Sequence, residues 1–328
     1  MLIALGIITG LIAVAALYLL SLDGNYRIRR GMLIDVPAKQ VFDAIRNLKT
    51  WPEWSPWLLH EPDTEVIYSK DCNKEGGFYS WDGKLVGAGK LTHLKINPEN
   101  SIDQQIEFIR PFKSLNQVNW YFQNKNGATA LEWEMIGSVP FLFRFMKKQI
   151  EAMIGKDYDL GLALLNGYLL PTAPHPAISF HGREALDNFH YWSIPFNGNL
   201  RDMQAIRKPG LIALETAAGE NAGLGLTIYS RIDWQQTHYR GEIAVPIAES
   251  SPQSNYSTRH FEAGDYYRVE VMGDHDFLPL AWYAGFAHCR MNKIKLDKSR
   301  PSLEIYHNNP ETIADSNRVK TVLYISIK

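Results

Sequence analysis

Cysteine is scarce in this chain. Its 328 residues include two cysteines, Cys72 and Cys289, which lie far apart in sequence. Two cysteines exclude a multi-bridge disulfide framework and a cysteine metal cluster. The ten histidines are scattered, and none forms the paired spacing of metal ligands on a helix. We therefore expect two buried structural thiols, and the sequence predicts no metal.

The chain also lacks an excess of basic residues and the common catalytic motifs. Its net charge is −1, and no helix-turn-helix or zinc-finger pattern occurs, so we expect no binding to nucleic acid. There is no HExxH, no GxSxG and no complete phosphate loop. Gly87-Ala88-Gly89 lacks the third glycine of a dinucleotide fingerprint. The sequence predicts no cofactor.

The first residues form a long apolar run. Leu2 to Leu20 carries no charge and, as a helix, would extend about 28 Å, close to the thickness of a bilayer core. A secretory signal is the alternative, but no basic region precedes the run. We predict an uncleaved transmembrane anchor at 1–22. Arg27, Arg29 and Arg30 follow the run, and by the positive-inside rule they place the soluble domains in the cytoplasm.

The length of the chain suits two domains. Three prolines in Pro171-Thr172-Ala173-Pro174-His175-Pro176 cannot continue a helix or a strand, and we expect a linker at 171–189. Residues 25–170 are predicted as a first α+β domain: a strand at 26–34, a short helix ending at Thr50, a run of antiparallel strands and a long helix at about 146–169. The run of strands is predicted at 65–70, 77–81, 85–94, 102–110, 117–122 and 128–136.

Three segments of this first domain carry a resemblance. They are Val36-Pro37-Ala38 before Val41-Phe42, the stretch Trp51-Pro52-Glu53-Trp54-Ser55-Pro56-Trp57, and Gly155-Lys156-Asp157 with Gly161-Leu162. In order and spacing they resemble the SRPBCC superfamily, which includes START-type lipid carriers and polyketide cyclase-like proteins. The resemblance implies a helix-grip fold around an elongated apolar cavity. Trp81, Trp120 and Trp133 fall on successive strands and either line that cavity or form an ordinary core.

The remaining residues, 190–328, are predicted as a second domain that repeats one small unit. The first copy is predicted as a helix near 200–207 with strands at 211–216, 224–231 and 241–247. The second copy is predicted as a strand at 265–271, a helix at 278–291 and strands at 302–306 and 320–327. Two copies of one unit create a cleft at their junction, where ligands commonly bind.

Strict alternation in Ser302-Leu303-Glu304-Ile305-Tyr306 places an acid and an aromatic ring on one face of a strand. A carboxylate beside ring faces favours a lipophilic cation, because an unpaired buried charge is costly and the rings add attraction. The alternative is a solvated acid on an edge strand. The segment Phe277 to Phe286, with Trp282 and Tyr283, is predicted as a helix that covers this face.

This strand and its surroundings resemble the GyrI-like effector-binding domain found in AraC-type and multidrug-sensing regulators. The resemblance rests on Pro301 to Tyr306 followed by Asn309-Pro310, on the late Lys320-Thr321 strand, and on Ile228-Tyr229 before Glu242 to Ile247. It implies that Glu304 forms the acidic floor of a pocket, with Tyr306, Tyr229 and Trp282 as candidate walls. His275 stands where family members commonly have a tyrosine. It is interpreted either as a partner of the acid or as a surface-turn residue.

The leading hypothesis is a membrane-anchored sensor or carrier that binds a hydrophobic, cationic or aromatic small molecule and has no DNA-binding domain of its own. The alternative is a hydrolase or cyclase acting on a hydrophobic substrate, with Glu304 as general base. A third hypothesis is a scaffold whose surfaces bind a partner protein.

Overall fold

The computed structural model describes residues 2–233, 238–248, 255–308 and 313–328, without the side chains of 2–6 and 15. The chain divides into two compact units, Met1–Leu170 and Pro171–Lys328. Each unit contains its own antiparallel sheet, so the fold is mixed α+β. The Asn309-Pro310 part of the GyrI-like resemblance lies outside the described residues.

The apolar run at the start of the chain forms helix α1, Leu2–Ser21. Arg144 donates from Nη1 to the carbonyl oxygens of Leu19, at 3.5 Å, and Leu22, at 3.1 Å, and so supplies partners for the last turn. Across the described residues, we find no helix with both the length and the apolarity needed to span a membrane. The predicted anchor at 1–22 is not confirmed.

Seven consecutive strands form the sheet of the first unit. Their order in the sheet is β1-β7-β6-β5-β4-β3-β2, so the first and last strands of the chain segment pair directly with each other. All pairs are antiparallel, and Asn126-Gly127, both with positive φ, make the tight turn between the last two strands. The strands are β1 (Asn25–Ile34), β2 (Glu65–Tyr68), β3 (Phe78–Asp82), β4 (Ala88–Asn97), β5 (Ser101–Arg110), β6 (Ser114–Lys125) and β7 (Ala128–Ser138).

Two α-helices complete the first unit, α2 (Ala38–Arg46) and α3 (Lys147–Leu169). The structure corrects the predicted end of the short helix, because α2 stops at Arg46 and a 3-10 helix takes Leu48–Glu53. Further 3-10 helices occupy Leu58–His60 and Phe141–Met146. The strands lie within about three residues of their predicted ranges, because alternation and turn residues are local signals. The predicted order of strand, short helix, antiparallel strands and long helix is therefore present, while the SRPBCC resemblance itself is not confirmed.

The described residues of the second unit form one eight-stranded antiparallel sheet and two α-helices. The helices are α4 (Leu200–Ala218) and α5 (Leu278–Met291). The strands are β8 (Ala177–Leu186), β9 (Phe189–Asn199), β10 (Leu226–Asp233), β11 (His238–Ile247), β12 (Arg259–Phe261), β13 (Gly264–Met272), β14 (Ser302–Tyr306) and β15 (Lys320–Ser326). Their order in the sheet is β12-β9-β11-β10-β14-β15-β13-β8.

This order contains a duplication. One half runs β9-α4-β10-β11 and the other β13-α5-β14-β15, and both follow the pattern strand, helix, strand, strand. The halves meet where β10 pairs with β14, and the strands beyond that pair are arranged symmetrically on both sides. The central pair therefore lies at the junction of the two halves, where the sequence predicts a cleft.

Two predictions in this unit are corrected. Leu211 to Thr216, predicted as a strand, belongs to the second half of α4. The sequence favours a break there because Pro209 removes one backbone hydrogen bond, yet the helix continues through the proline. The range 171–189, predicted as a linker, contains β8, which pairs along its length with β13.

Candidate functional site

The central strand pair positions the acid. In the antiparallel register Thr227 lies opposite Glu304, and Leu226 lies opposite Ile305. Alternation along each strand then places Thr227 and Tyr229 on the same face as Glu304 and Tyr306. Glu304 is only 1% exposed. The predicted acidic-aromatic face exists, and it lies in the middle of the sheet instead of at an edge.

Two neutral groups hold the carboxylate. Trp282, on α5, donates from Nε1 to Oε1 of Glu304 at 2.6 Å. Tyr306 donates its hydroxyl proton to Oε2 at 2.7 Å. That leaves Thr227 to donate its own hydroxyl proton to the Tyr306 oxygen at 2.6 Å. Within the described part of the chain Glu304 has no ion pair. This buried carboxylate is therefore hydrogen-bonded without a cation in contact.

Aromatic rings surround the acid. The ring of Tyr229 meets Trp282 edge-on, with centroids 5.6 Å apart, and its hydroxyl lies 3.9 Å from the Met203 sulfur. Phe196 and Tyr239 also meet the ring of Tyr229 edge-on, with centroids 5.9 Å and 6.3 Å away. Burial, followed by the charge of Glu304, raises the pKa of Tyr229 and of Tyr306 well above the usual range. Both phenols stay neutral, so the walls offer ring faces and hydroxyl groups.

Arg207 is part of the site, although nothing in the sequence singles it out. It lies one helical turn after Met203 on α4, and its Cζ stands 5.6 Å from the ring centroid of Tyr306. Burial lowers the pKa of Arg207, but the nearby Tyr306, Glu304 and Tyr229 outweigh that effect and raise it overall. A fixed positive charge therefore stands beside the acid and over one of its aromatic walls.

His275 lies against the same wall. Its ring centroid is 5.0 Å from that of Tyr306, and its Nε2 is buried without a hydrogen-bond partner among the described residues. Burial and the charge of Arg207 lower the pKa of His275 to about 4, although Asp274 opposes the shift. At neutral pH this imidazole is uncharged. It contacts the tyrosine that holds the acid and forms no ion pair with Glu304 itself.

Two cavities meet at these residues. The inner one, beside Glu304, Trp282 and Tyr229, has a volume of about 10 Å³, enough for one water molecule. The outer one has about 610 Å³, within the range of small-molecule sites. Gln204, Arg207 and His275 line both. These three side chains stand between the large cavity and the acid.

The other predicted site residues do not join this constellation. Tyr283 follows Trp282 on α5 but lines neither of the two cavities. Trp120 and Trp133 lie in the first unit and stack with centroids 4.3 Å apart, both almost fully buried. Trp81 lines a cavity of about 40 Å³ there, which is too small for a lipid. This packing favours the ordinary-core interpretation of the three tryptophans.

Among the described residues no cluster of histidine, cysteine, aspartate or glutamate has the arrangement of a metal site. Both cysteines are buried free thiols. Burial raises the pKa of the Cys289 thiol to about 12, so that it stays protonated. The chemistry of the site is therefore that of a carboxylate, neutral hydroxyl and indole donors, and one guanidinium.

Comparison with known proteins gives distant structural matches. No family model and no curated protein matches the chain. CalU16 from Micromonospora echinospora is 15% identical, covering 45% of this chain and 85% of its own, with a TM-score of 0.32. MLL2253 from Mesorhizobium loti is 13% identical, covering 45% and 99%, with a TM-score of 0.36. The C-terminal domain of EcmrR is 15% identical, covering 47% and 98%, with a TM-score of 0.38. At these values the matches assign no function.

Proposed function

We propose that the second unit binds a lipophilic organic cation, with Glu304 as the charge partner and the outer cavity as the volume that receives the apolar body. The observation that carries this proposal is the buried carboxylate held only by neutral donors. Burying a carboxylate without a cation in contact costs free energy, and a bound cation would recover part of it. The protein would then act as a sensor or carrier.

The aromatic walls support the same class of ligand. Tyr229, Tyr306 and Trp282 present rings around the acid, and a cation placed near such rings gains electrostatic attraction from their quadrupoles. The outer cavity adds apolar lining from Leu211, Ile212 and Leu224. A small inorganic cation would leave these surfaces unused. An alkyl- or aryl-substituted ammonium or phosphonium ion uses both the charge and the apolar area.

The test is calorimetric titration of the full chain with tetraphenylphosphonium and, as a neutral match, triphenylphosphine oxide. We expect Glu304→Gln to weaken phosphonium binding at least about tenfold, because the charge partner is lost while the side-chain shape is kept. Binding of the neutral compound should be unchanged. Glu134→Gln, a buried glutamate of the first unit, is the matched control and should leave both affinities as they are.

Equal phosphonium affinity in wild type and Glu304→Gln would contradict this proposal. Retained binding together with lost turnover of a hydrophobic substrate would instead support the hydrolase or cyclase alternative, with Glu304 as general base.

We also propose that α1 anchors the chain in a membrane, with the soluble units on the cytoplasmic side. The support is the uncharged run from Leu2 to Leu20 and the apolar side chains that α1 exposes, including Leu11, Ile12 and Leu17. In vesicle flotation the full chain should rise with lipid, and deletion of residues 2–21 should leave it at the bottom of the gradient. Flotation of the deleted form would contradict this role for α1.

A further inference from the structure

The inner cavity contains a charge pair made by the protein itself. Glu304 and Arg207 are the charged side chains that line it, since His275 is neutral at physiological pH. The two do not form a contact ion pair, and the hydrogen bonds that Glu304 accepts come from Trp282 and Tyr306. The guanidinium of Arg207 lies over the ring of Tyr306 and does not contact the carboxylate. The charge of Glu304 nevertheless contributes to the raised pKa of Arg207, so the two charges attract each other in a poorly solvated region.

The position of Arg207 is the one that a ligand's cation would need. A cation attracted by Glu304 and by the aromatic walls must come close to the face of Tyr306, where the guanidinium already lies. Two positive charges this close repel each other in a region of low dielectric. A ligand cation and the Arg207 guanidinium are therefore alternatives for this place.

The outer cavity provides room and charge for the displaced side chain. Arg207 lines both cavities, so the outer cavity is a volume that its guanidinium would reach by rotation about side-chain bonds. Three carboxylates line the outer cavity, those of Glu215, Asp274 and Asp276. They supply negative charge on the side to which the guanidinium would move.

We propose that Arg207 is the resident counter-cation of Glu304, and that the cationic group of a ligand replaces it at the face of Tyr306. This inference rests on the proposed function and adds the residue that sets its affinity and selectivity. A neutral ligand cannot compensate Glu304 when the guanidinium leaves, so Arg207 selects for positively charged ligands.

The experiment compares Arg207→Met with Arg201→Met in the full chain. Both remove one positive charge from α4, but Arg201 is exposed and lines neither cavity, whereas Arg207 lies over the ring of Tyr306. We expect Arg207→Met to bind tetraphenylphosphonium about tenfold more tightly than wild type, since no resident cation has to be displaced. Arg201→Met should change the affinity less than about threefold. Arg207→Lys, which keeps the charge, should bind phosphonium less tightly than Arg207→Met.

Unchanged or weaker phosphonium binding by Arg207→Met would overturn the inference. If Glu304→Gln still weakens binding in that case, the cation site stands and only the role of Arg207 is wrong. If neither change affects binding, the proposed function fails as well. Thermal unfolding without ligand checks that each variant folds. Arg207→Gln, which keeps polar character, replaces Arg207→Met if that variant does not fold, with the same expected gain.

Discussion

Two buried glutamates, one in each unit, have opposite surroundings. Glu134, on β7, is 0% exposed and contacts two guanidinium groups, those of Arg27 at 3.1 Å and Arg29 at 2.9 Å. Asn119 donates a further hydrogen bond at 3.0 Å. Glu304, on β14, is equally buried but accepts its hydrogen bonds from an indole and a phenol. The nearby Arg207 lies over the ring of Tyr306 and does not contact the carboxylate. Burial alone therefore does not distinguish a structural acid from the one proposed to bind a ligand.

The difference lies in what satisfies the charge. Glu134 has its full complement of cations within the fold, so a ligand has nothing to add. Glu304 has hydrogen bonds but no contacting cation, and a cavity of ligand size adjoins the residues around it. A buried carboxylate that is hydrogen-bonded without a contacting cation is thus the better indicator of a site for a positive ligand.

The interiors of the two units differ in the same way. In the first unit Trp133 stacks between Trp120, at a centroid distance of 4.3 Å, and Tyr158, at 3.8 Å. Trp51 and Trp54 close on this stack edge-on. The aromatic rings of the second unit surround an acid instead, next to open volume. Aromatic residues in one unit fill the core, and in the other they surround the site proposed above.

The largest expected effect is on stability, and it tests whether the interior of the first unit is a packed core. Trp133→Ala should lower the free energy of unfolding of the first unit by about 3–5 kcal/mol, because it leaves a large cavity between two stacked rings. Urea unfolding of the full chain, followed by circular dichroism, measures it. Ile67→Ala, an apolar side chain that is 57% exposed on β2, is the control and should have little effect.

The contrast drawn between the two interiors would be wrong if Trp133→Ala left the free energy of unfolding unchanged and altered the binding of a neutral lipid. That result would make the first interior a ligand cavity, as the SRPBCC resemblance implies. Phosphonium binding by the second unit should not respond to this change.

A smaller expected effect, on stability as a function of pH, tests the difference between Glu134 and Glu304. Burial raises the pKa of Glu134. Hydrogen bonds from Asn119 and Arg29 and the charges of Arg29 and Arg27 have the opposite effect, and overall the pKa is lowered. Its contribution to stability is therefore present above the ordinary value of 4.5 and is lost as the pH falls through the folded-state pKa. Glu134→Gln should cost about 1–2 kcal/mol at neutral pH, a modest figure because water screens the half-exposed arginines.

The measurement is urea unfolding of wild type and Glu134→Gln over a series of pH values. The difference between them should shrink as the pH drops below about 4.5, where the wild-type carboxyl is protonated. A difference that stays constant with pH would show that the charge of Glu134 does not stabilise the fold. Glu304→Gln is the matched change in the second unit. We expect a smaller stability change there, since no contacting cation loses its partner.

Much of the fold is predictable because its signals are local. Alternation identified most strands of the first sheet, and the same signal placed Glu304 and Tyr306 on one face. Local signals failed where tertiary contacts prevailed over them. The helix α4 continues through Pro209, and β8 forms in a proline-flanked stretch because β13 supplies its hydrogen bonds.

Arg207 shows the limit of this reasoning for the site. In the sequence it is one of 34 basic residues, in a stretch where Pro209 favours an interrupted helix. Its importance depends on the approach of α4 to β14, and these elements are separated by about a hundred residues of chain. The nearest usable signal is the four-residue spacing between Met203 and Arg207, which places both on one helix face.

The sequence by itself determined which residues alternate, where most turns fall and that an acid shares a strand face with a tyrosine. Only the tertiary structure decided which of these groups became partners. Trp282 comes from α5, Thr227 from β10 and Arg207 from α4, and only the fold brings these three elements to the acid on β14. The physical reason is that side-chain periodicity is a property of neighbouring residues, whereas the satisfaction of a buried charge depends on whatever the fold brings within a few ångströms.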